Sequence, residues 1–241
     1  YQITLAIAGI AVGTVILPEL SKKIKLNNYK LAQDLQSKSI NLCLFISLPA
    51  AAGLYIASYD IVNALFGYGS FTETSVKNTS AALKFFAIGI PAFALLKIFS
   101  SFYFARNNTQ TPFHLSAIVV VINLALSIYL FRIIGFIAIP IATTVSTWII
   151  VFAYIFKFVE KDIHKFDNIF FRKIIKMFLS SALMAIFLIY MISFLADKLI
   201  YGSSLKILYL FLIVGSSIVV YFLISVLIGS IKFGREKNII I

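Results

Sequence analysis

Seven long apolar runs, separated by short polar connections, constrain the fold of this chain more than any other feature. They cover residues 3–17, 39–58, 81–104, 113–130, 136–156, 174–195 and 205–231. A helix that spans a bilayer needs about 20 mostly apolar residues, and in lipid only helices or a closed barrel satisfy every backbone polar group. The runs lack the strict alternation of barrel strands. The sequence therefore predicts an all-α, polytopic transmembrane helix bundle with about seven spanning helices.

The amino-acid composition excludes a soluble domain. Hydrophobic residues make up 61% of the 241 residues and charged residues 12%, whereas soluble domains carry about 25% charged residues. So little polar surface cannot cover one soluble core of this size, which argues against a soluble enzyme and a disordered tail. Cys43 is the only cysteine, so a scaffold of internal disulfides is also excluded.

The basic residues are distributed unevenly between alternate connections. The chain has 21 Lys and Arg against 9 Asp and Glu. Fifteen basic residues lie on one side, within residues 20–38, at 106, within 157–176 and within 232–237. The five on the other side are Lys77, Lys84, Arg132, Lys198 and Lys206. Cytoplasmic connections carry an excess of Lys and Arg. The pattern therefore places residues 20–38 and the C-terminus in the cytoplasm, and it explains the basicity with no nucleic-acid partner.

The connections divide the chain into three parts. Residues 1–156 form the first five transmembrane helices, residues 157–173 a basic cytoplasmic connection, and residues 174–241 two C-terminal transmembrane helices with a short cytoplasmic tail. The connection at residues 20–38 has apolar residues spaced for a weak amphipathic helix at the membrane interface. Because the chain opens at Tyr1 rather than Met and has no signal-peptide features, we expect it to be a piece of a longer protein.

The sequence contains no constellation of catalytic residues. His114 and His164 have no cysteine or carboxylate at metal-ligand spacing, and we expect both side chains at the surface. The acidic residues lie almost wholly in connections, which argues against a proton relay inside the helices. We therefore predict no catalytic residue, no metal centre and no cofactor.

One lysine lies inside an apolar run. Lys97 is about five residues past the centre of the third run, which places it roughly 7 Å from the membrane midplane. A charge there costs several kcal/mol unless it faces water or a partner. Lys97 is therefore either a cationic group that lines a pathway for an anionic substrate, such as a lipid phosphate, or a lysine that snorkels to the headgroups. Lys84, near the start of the same run, is expected to snorkel.

Prolines and polar residues interrupt several other runs. Pro49, Pro91 and Pro140 are expected to kink their helices, as in a transporter that rocks between two states; a static bundle with ordinary kinks is the alternative. Asn123 and Ser127 lie one turn apart, and Thr143 follows across a tight hairpin. These groups either coordinate a small cation or join the two helices by hydrogen bonds.

Three segments resemble motifs of one family. Residues 9–22 (GIAVGTVILPELSK) resemble the end of the helix that precedes a cytoplasmic loop in the MurJ (MviN) family of lipid II flippases. Residues 66–74 (FGYGSFTET) resemble the periplasmic RGxFT segment of this family, and residues 102–112 (FYFARNNTQTP) resemble its FYAR-x-DT-x-TP signature. The signature positions kept here are Arg106, Thr109 and Pro112. The likeness extends over residues 1–156, and the last two helices match only in hydropathy and spacing.

The resemblance implies an architecture, an activity and a set of partners. The family has fourteen helices in two halves and belongs to the multidrug/oligosaccharidyl-lipid/polysaccharide exporter superfamily. This chain resembles helices eight to fourteen, the C-terminal half, with residues 1–156 as helices eight to twelve. The implied activity is alternating-access transport of lipid II, the undecaprenyl-diphosphate-linked peptidoglycan precursor, from the inner to the outer leaflet of the bacterial cytoplasmic (inner) membrane. The implied partners are lipid II, membrane lipids and the missing N-terminal half, without which the fragment should not transport.

The resemblance also carries over individual residues. Lys97 matches a lysine of the family and is expected to line the substrate cavity. Asn123, Ser127, Ile139 (through its carbonyl) and Thr143 correspond to a Na⁺ site of some members, which makes Na⁺ a candidate coupling ion. Three positions depart from the family: Tyr68 replaces an arginine, Asn108 replaces an aspartate, and Ser127 stands where a carboxylate is expected.

Three alternative functions remain at this stage. A polysaccharide-repeat or multidrug exporter of the same superfamily would share the architecture. A membrane-embedded lipid-phosphate transferase would need acidic residues that bind Mg²⁺, and its candidates are Glu160, Asp162 and Asp167. A purely structural membrane scaffold would need no site.

Overall fold

The computed structural model describes residues 2, 6–160, 164, 167–201, 203, 205–230, 232–233 and 239–240. These residues contain eight α-helices: α1 (Val12–Lys25), α2 (Tyr29–Ile56), α3 (Ser58–Phe66), α4 (Glu73–Phe104), α5 (Gln110–Ile134), α6 (Ala138–Glu160), α7 (Asn168–Phe194) and α8 (Lys206–Leu227). A π-helical segment, Ala6–Ala11, leads into α1, and single 3-10 turns occupy Gly135–Ile137 and Ala196–Lys198. Strands β1 (Lys232–Phe233) and β2 (Ile239–Ile240) form a short antiparallel pair.

The helices confirm the predicted all-α fold class, because each of the seven apolar runs contains a helix. Within the described residues, five helical stretches are long and apolar enough to cross a membrane: Tyr29–Ile56, Glu73–Phe104, Gln110–Glu160, Asn168–Phe194 and Lys206–Leu227. The third stretch holds both α5 and α6. Helix α1 has 14 residues and is not among the five. Residues 3–5 of its predicted run lie outside the described residues.

The weak amphipathic helix predicted within residues 20–38 does not form a separate element, and its position at the membrane interface stays a prediction. Helix α1 continues to Lys25 and α2 already begins at Tyr29, so both helices extend into the polar segment. Asn27 has a left-handed backbone conformation (φ 53°), which is a common way to end a helix. Lysine, leucine and glutamine are good helix formers, so this polar sequence lengthens its neighbours instead of forming a separate element.

The prolines occupy different kinds of position. Pro49 and Pro91 lie well inside α2 and α4, as the predicted kinks require. Pro140, by contrast, is the third residue of α6. A proline in the first turn removes no intrahelical hydrogen bond, so the kink expected at Pro140 is replaced by a helix start. Gly135 makes the preceding reversal, because its φ of 65° favours a residue without a Cβ.

The chain divides into two compact units. The first consists of Tyr1–Ser47 and Gly89–Ile174. Its core is an aromatic cluster of α4 and α6 formed by Phe99, Phe102, Tyr103, Tyr154 and Phe158, all of them buried. Phe158 meets Phe99 edge-on at 5.0 Å and stacks on Tyr103 at 5.4 Å between ring centroids. Such pairs add to the apolar area that each ring buries, so the cluster holds α4 against α6.

The second unit consists of Leu48–Ile88 and Ile175–Ile241. One of its apolar clusters joins Ala57, Leu188, Leu199 and Ile213. Helix α3, which has only nine residues and was not predicted, packs against α8 in this unit. The predicted three-part division into residues 1–156, 157–173 and 174–241 stays a prediction; α6 and α7 extend into its middle part, to Glu160 and from Asn168.

Candidate functional site

The structure brings the four proposed cation ligands together on the α5–α6 hairpin. The Asn123 side-chain amide on α5 donates to the Thr143 hydroxyl on α6 at 2.9 Å. The Ser127 hydroxyl donates to Asn123 Oδ1 at 3.3 Å, and the Thr143 hydroxyl donates to the Ile139 carbonyl at 2.8 Å. The four residues therefore form one continuous hydrogen-bond chain, which joins the two helices as the interhelical alternative requires.

The oxygen atoms of these four residues meet only some of the requirements for binding a hard cation. They are an amide oxygen, two hydroxyls and a backbone carbonyl, which are oxygen ligands of the kind that hard cations accept. No carboxylate accompanies them, because the sequence has no acidic residue between Glu73 and Glu160. The residues present therefore fit a monovalent ion by ligand type but bring no charge to neutralise it. Whether they bind one stays a prediction.

Lys97 is exposed on α4, in the first unit. Its ammonium makes no hydrogen bond or ion pair with the residues that the structure describes. One turn later the Ser101 hydroxyl donates to the Lys97 carbonyl at 3.0 Å. A Cβ added at Gly13 of α1 would lie 3.0 Å from Ser101 Oγ, so α1 crosses α4 closely beside Lys97. The lysine thus has no counter-ion in this part of the chain, and its predicted cavity role stays a prediction.

The signature residues build the connection between α4 and α5. Arg106 donates from Nη1 to the Phe102 carbonyl at 2.8 Å. Partial burial lowers the pKa of the Arg106 guanidinium, an effect that neighbouring tyrosines oppose. Asn108 Oδ1 accepts the backbone N–H of Thr111 at 3.0 Å, and Asn108 Nδ2 donates to the Thr111 hydroxyl at 3.1 Å. The amide thereby satisfies a donor at the start of α5 that has no intrahelical partner.

Thr109 and Pro112 complete this connection. The Thr109 carbonyl accepts the N–H of Phe113 at 3.2 Å, and Pro112 is buried in the first turn of α5. Asn107 has a left-handed conformation (φ 56°), which suits asparagine better than most residues. In this structure the signature positions have an architectural role in the turn.

The two histidines differ in environment. His114 is exposed, as predicted. The expectation for His164 is wrong, because this side chain is only 1% exposed. Its Nε2 lies 3.4 Å from the Ser37 hydroxyl of α2, and its ring meets Phe170 of α7 edge-on. Burial lowers the pKa of His164 to about 4; Arg106 acts in the same direction and Asp167 in the opposite one. A charged connection can dock a neutral histidine in this way, and local sequence does not reveal it.

Two of the three acidic candidates for a transferase, Glu160 and Asp167, lie within the described residues. Asp167 accepts the backbone N–H of Phe170 at 2.7 Å and so caps the start of α7. Glu160 is the exposed last residue of α6, and Asp162 lies outside the described residues. In the described part of the chain, no three His, Cys, Asp or Glu side chains are grouped so that they could hold a metal ion.

A buried lysine in the second unit was not predicted from the sequence. Lys206, the first residue of α8, is 0% exposed, although the charge pattern counts it among the lysines of the connections. Its ammonium donates to Asn63 Oδ1 at 3.2 Å and to the Gly67 carbonyl at 2.9 Å. The sequence feature connected with this site is Gly67, whose carbonyl accepts from Lys206 and which lies in the segment resembling the RGxFT motif.

Comparisons with known proteins agree on one family. The model of the family "Lipid II flippase MurJ" matches residues 1–210. The probable lipid II flippase MurJ of Rhizobium tropici is 33% identical over 240 residues, which cover 99% of this chain and 45% of that protein. The Thermotoga maritima protein of the same name is 36% identical over 184 residues, with 76% and 36% covered. A solved structure of lipid II flippase MurJ in an inward closed conformation aligns with a TM-score of 0.76 at 25% identity, over 94% of this chain and 44% of its own. The chain thus spans about half the length of the curated relatives it matches.

Proposed function

Because this chain belongs to the MurJ family of lipid II flippases, we propose that it forms one half of a transporter that moves lipid II from the inner to the outer leaflet of the cytoplasmic membrane. The observation that carries the proposal is the family match over residues 1–210, together with a helical fold that aligns with a flippase of this name. Flippases are transporters, so the chain is not an enzyme. It is a multi-pass membrane protein, and the family implies the inner membrane.

The proposed transport mechanism is alternating access, with the other half of the protein completing the pathway. A proline inside a helix removes a backbone hydrogen bond and favours a kink, and kinked helices suit a transporter that changes between two states. Two observations in the first unit support this mechanism: α4 contains Pro91, and α1 crosses α4 closely at Gly13. The proposed topology puts the C-terminus in the cytoplasm, and its support is the excess of basic residues on that side.

Lys97 is proposed as a substrate-cavity residue that attracts the diphosphate of lipid II. A lysine within an apolar helix is stabilised by water or by an anion. Its exposure and its lack of a counter-ion among the described residues are consistent with a partner that this half of the protein does not supply. A diphosphate carries the complementary charge, and an ammonium can bind it without a fixed geometry.

Na⁺ is proposed as the coupling ion, held in part by the polar chain on the α5–α6 hairpin. Asn123 Oδ1, Ser127 Oγ, the Ile139 carbonyl and Thr143 Oγ1 would be its ligands from this chain. A bound ion would supply a positive charge that bridges the two helices. The support is the convergence of these oxygens in one hydrogen-bond chain.

The transport activity can be tested with the intact protein in lipid vesicles. Vesicles loaded with labelled lipid II should expose it to an external probe at a rate that depends on the protein. An undecaprenyl-diphosphate-linked polysaccharide repeat serves as the comparison substrate. Faster exposure of the repeat than of lipid II would favour a polysaccharide exporter over the proposed flippase.

A further inference from the structure

Lys206 lies at the centre of a buried polar cluster at one end of the second unit. Its ammonium donates to Asn63 Oδ1 of α3 and to the Gly67 carbonyl just beyond α3, at 3.2 Å and 2.9 Å. The same nitrogen lies 4.1 Å from the centroid of the Tyr68 ring and 5.3 Å from that of Tyr201. Two oxygens and an aromatic face therefore account for the three N–H groups of the ammonium.

This environment is unusual for a lysine. Lysine is almost never fully buried unless it is paired, and no carboxylate pairs with Lys206 within the described residues. The residue also opens α8, where the positive end of the helix dipole disfavours a cation. Neutral oxygens and tyrosine rings must offset both penalties, so the arrangement depends on each of these contacts.

Gly67 makes room for the cluster. A Cβ at this position would lie 2.5 Å from both the backbone oxygen and the side-chain oxygen of Asn63, and 3.1 Å from the Lys206 ammonium. Its backbone is not in the left-handed region (φ −71°), so space and not conformation excludes a side chain. The glycine lies in residues 66–74, the segment that resembles the RGxFT motif of the family.

Two further hydrogen bonds link the same region around α3 to the α7–α8 connection. Asn63 Nδ2 donates to the Leu199 carbonyl at 2.8 Å. The Tyr201 hydroxyl donates to the Phe71 carbonyl at 2.9 Å. Asn63 thus uses both ends of its amide, one on Lys206 and one on the turn that follows α7. Four hydrogen bonds therefore join α3 and the connection after it to the α7–α8 connection and the first residue of α8.

We propose that Lys206 is a positioning residue that fastens the α3–α4 connection to the α7–α8 connection, so that the two connections open and close as one element of the second unit. Asn63, Gly67 and Tyr68 then hold the buried ammonium. The inference is independent of the cargo and of the coupling ion. In a transporter that changes shape, this element would move as one body.

Hydrogen exchange of the intact protein, followed by mass spectrometry, tests the proposal. Lys206→Met keeps the apolar stem but leaves buried oxygens without a donor. Loss of a buried partner should raise exchange about tenfold in the peptides that cover residues 63–72 and 199–206 together. The α5–α6 hairpin of the first unit should keep its protection. Lys198→Met, an exposed lysine of the same connection, should change neither peptide.

Two more variants keep the test decisive if Lys206→Met folds poorly. Gly67→Ala should displace the cluster without altering Lys206 and should loosen the same two peptides. Asn63→Leu combined with Lys206→Met should loosen them no more than the stronger single variant, because residues that act through one contact network are not additive. Loosening of only one peptide, unchanged exchange in both, or fully additive effects would overturn the proposal.

Discussion

The side-chain amide of Asn123 on α5 donates a hydrogen bond to the Thr143 hydroxyl on α6, across a distance of 2.9 Å. The Thr143 hydroxyl in turn donates to the Ile139 carbonyl, and the Ser127 hydroxyl donates to Asn123 Oδ1. The hydroxyl protons of Ser127 and Thr143 are thus both donated to acceptors within the α5–α6 hairpin. A hydroxyl oxygen carries two lone pairs, and so does an amide oxygen, so these hydrogen bonds leave acceptor capacity for the proposed cation.

The sodium site predicts an ion-specific change in stability. The melting temperature of the intact protein should rise in NaCl relative to an equal concentration of choline chloride. Asn123→Ala should abolish that rise and lower the melting temperature without sodium, because one interhelical hydrogen bond contributes about 0.6 kcal/mol. Ser146→Ala is the matched control, since its hydroxyl donates to the Thr143 backbone carbonyl, which is not one of the proposed ligand oxygens. A sodium effect that survives in both Asn123→Ala and Thr143→Ala would place the ion elsewhere.

Lys97 should differ in function from Lys84, an exposed lysine on the same helix. Lys97→Ala in the intact protein should impair growth of cells that depend on it, because the pathway loses a cation that attracts the diphosphate. Lys84→Ala should support normal growth. Membrane abundance of both variants, measured by immunoblot, excludes a folding defect. Normal growth of the Lys97 variant would instead identify this lysine as one that snorkels to the headgroups.

His164 should make stability depend on pH. Its folded pKa of about 4 lies below the usual value, so the unfolded chain takes up a proton first as the pH falls. The contribution of the neutral side chain is therefore complete above about pH 6.5 and is lost toward pH 4, by about 1.4 kcal/mol per pH unit within that window. Melting temperatures between pH 7 and pH 4 measure the effect. His164→Gln should flatten the profile, whereas His114→Gln, at an exposed position, should leave it unchanged; an unchanged profile for His164→Gln would contradict the buried placement.

Asn108 should stabilise the start of α5. Asn108→Ala removes the acceptor for the Thr111 N–H and should destabilise the protein by about 1 kcal/mol. Asn108→Asp restores the residue of the family motif and should be at least as stable as the present protein, because a carboxylate is favoured near a helix N-terminus. Thermal melting of the three proteins decides the matter. If the melting temperature of Asn108→Ala equals that of the unchanged protein, the start of α5 does not depend on the hydrogen bond from the Thr111 N–H to Asn108 Oδ1.

Most of the helices could be predicted from the sequence, because each of these contains a large part of one long apolar run. The α5–α6 pairing could also be predicted, since a short connection with Gly135 forces two neighbouring helices to run antiparallel. The positions of Lys206 and His164 could not, because the burial of each depends on segments more than 100 residues away in the chain. Lys206 meets Asn63, and His164 meets Ser37. Local sequence shows only a lysine beside a connection and a histidine among charged residues.

The prediction of a separate helix within residues 20–38 was incorrect for a related reason. The apolar spacing there suggested a helix of its own, but such spacing does not show where a helix begins. The left-handed Asn27 determines that boundary, and asparagine occurs in many other settings. The short helix α3 was not predicted as a separate helix because only Ala57 lies between it and α2.

The distribution of lipid II between the two leaflets tests the central claim most directly. Cells in which the intact protein is depleted should accumulate lipid II in the inner leaflet, where an externally added lipid II-modifying enzyme cannot reach it. Expression of the intact protein should restore its exposure, and the Lys97→Ala variant should restore it less at equal abundance. An unchanged leaflet distribution after depletion would contradict the proposal that this chain forms half of a lipid II flippase.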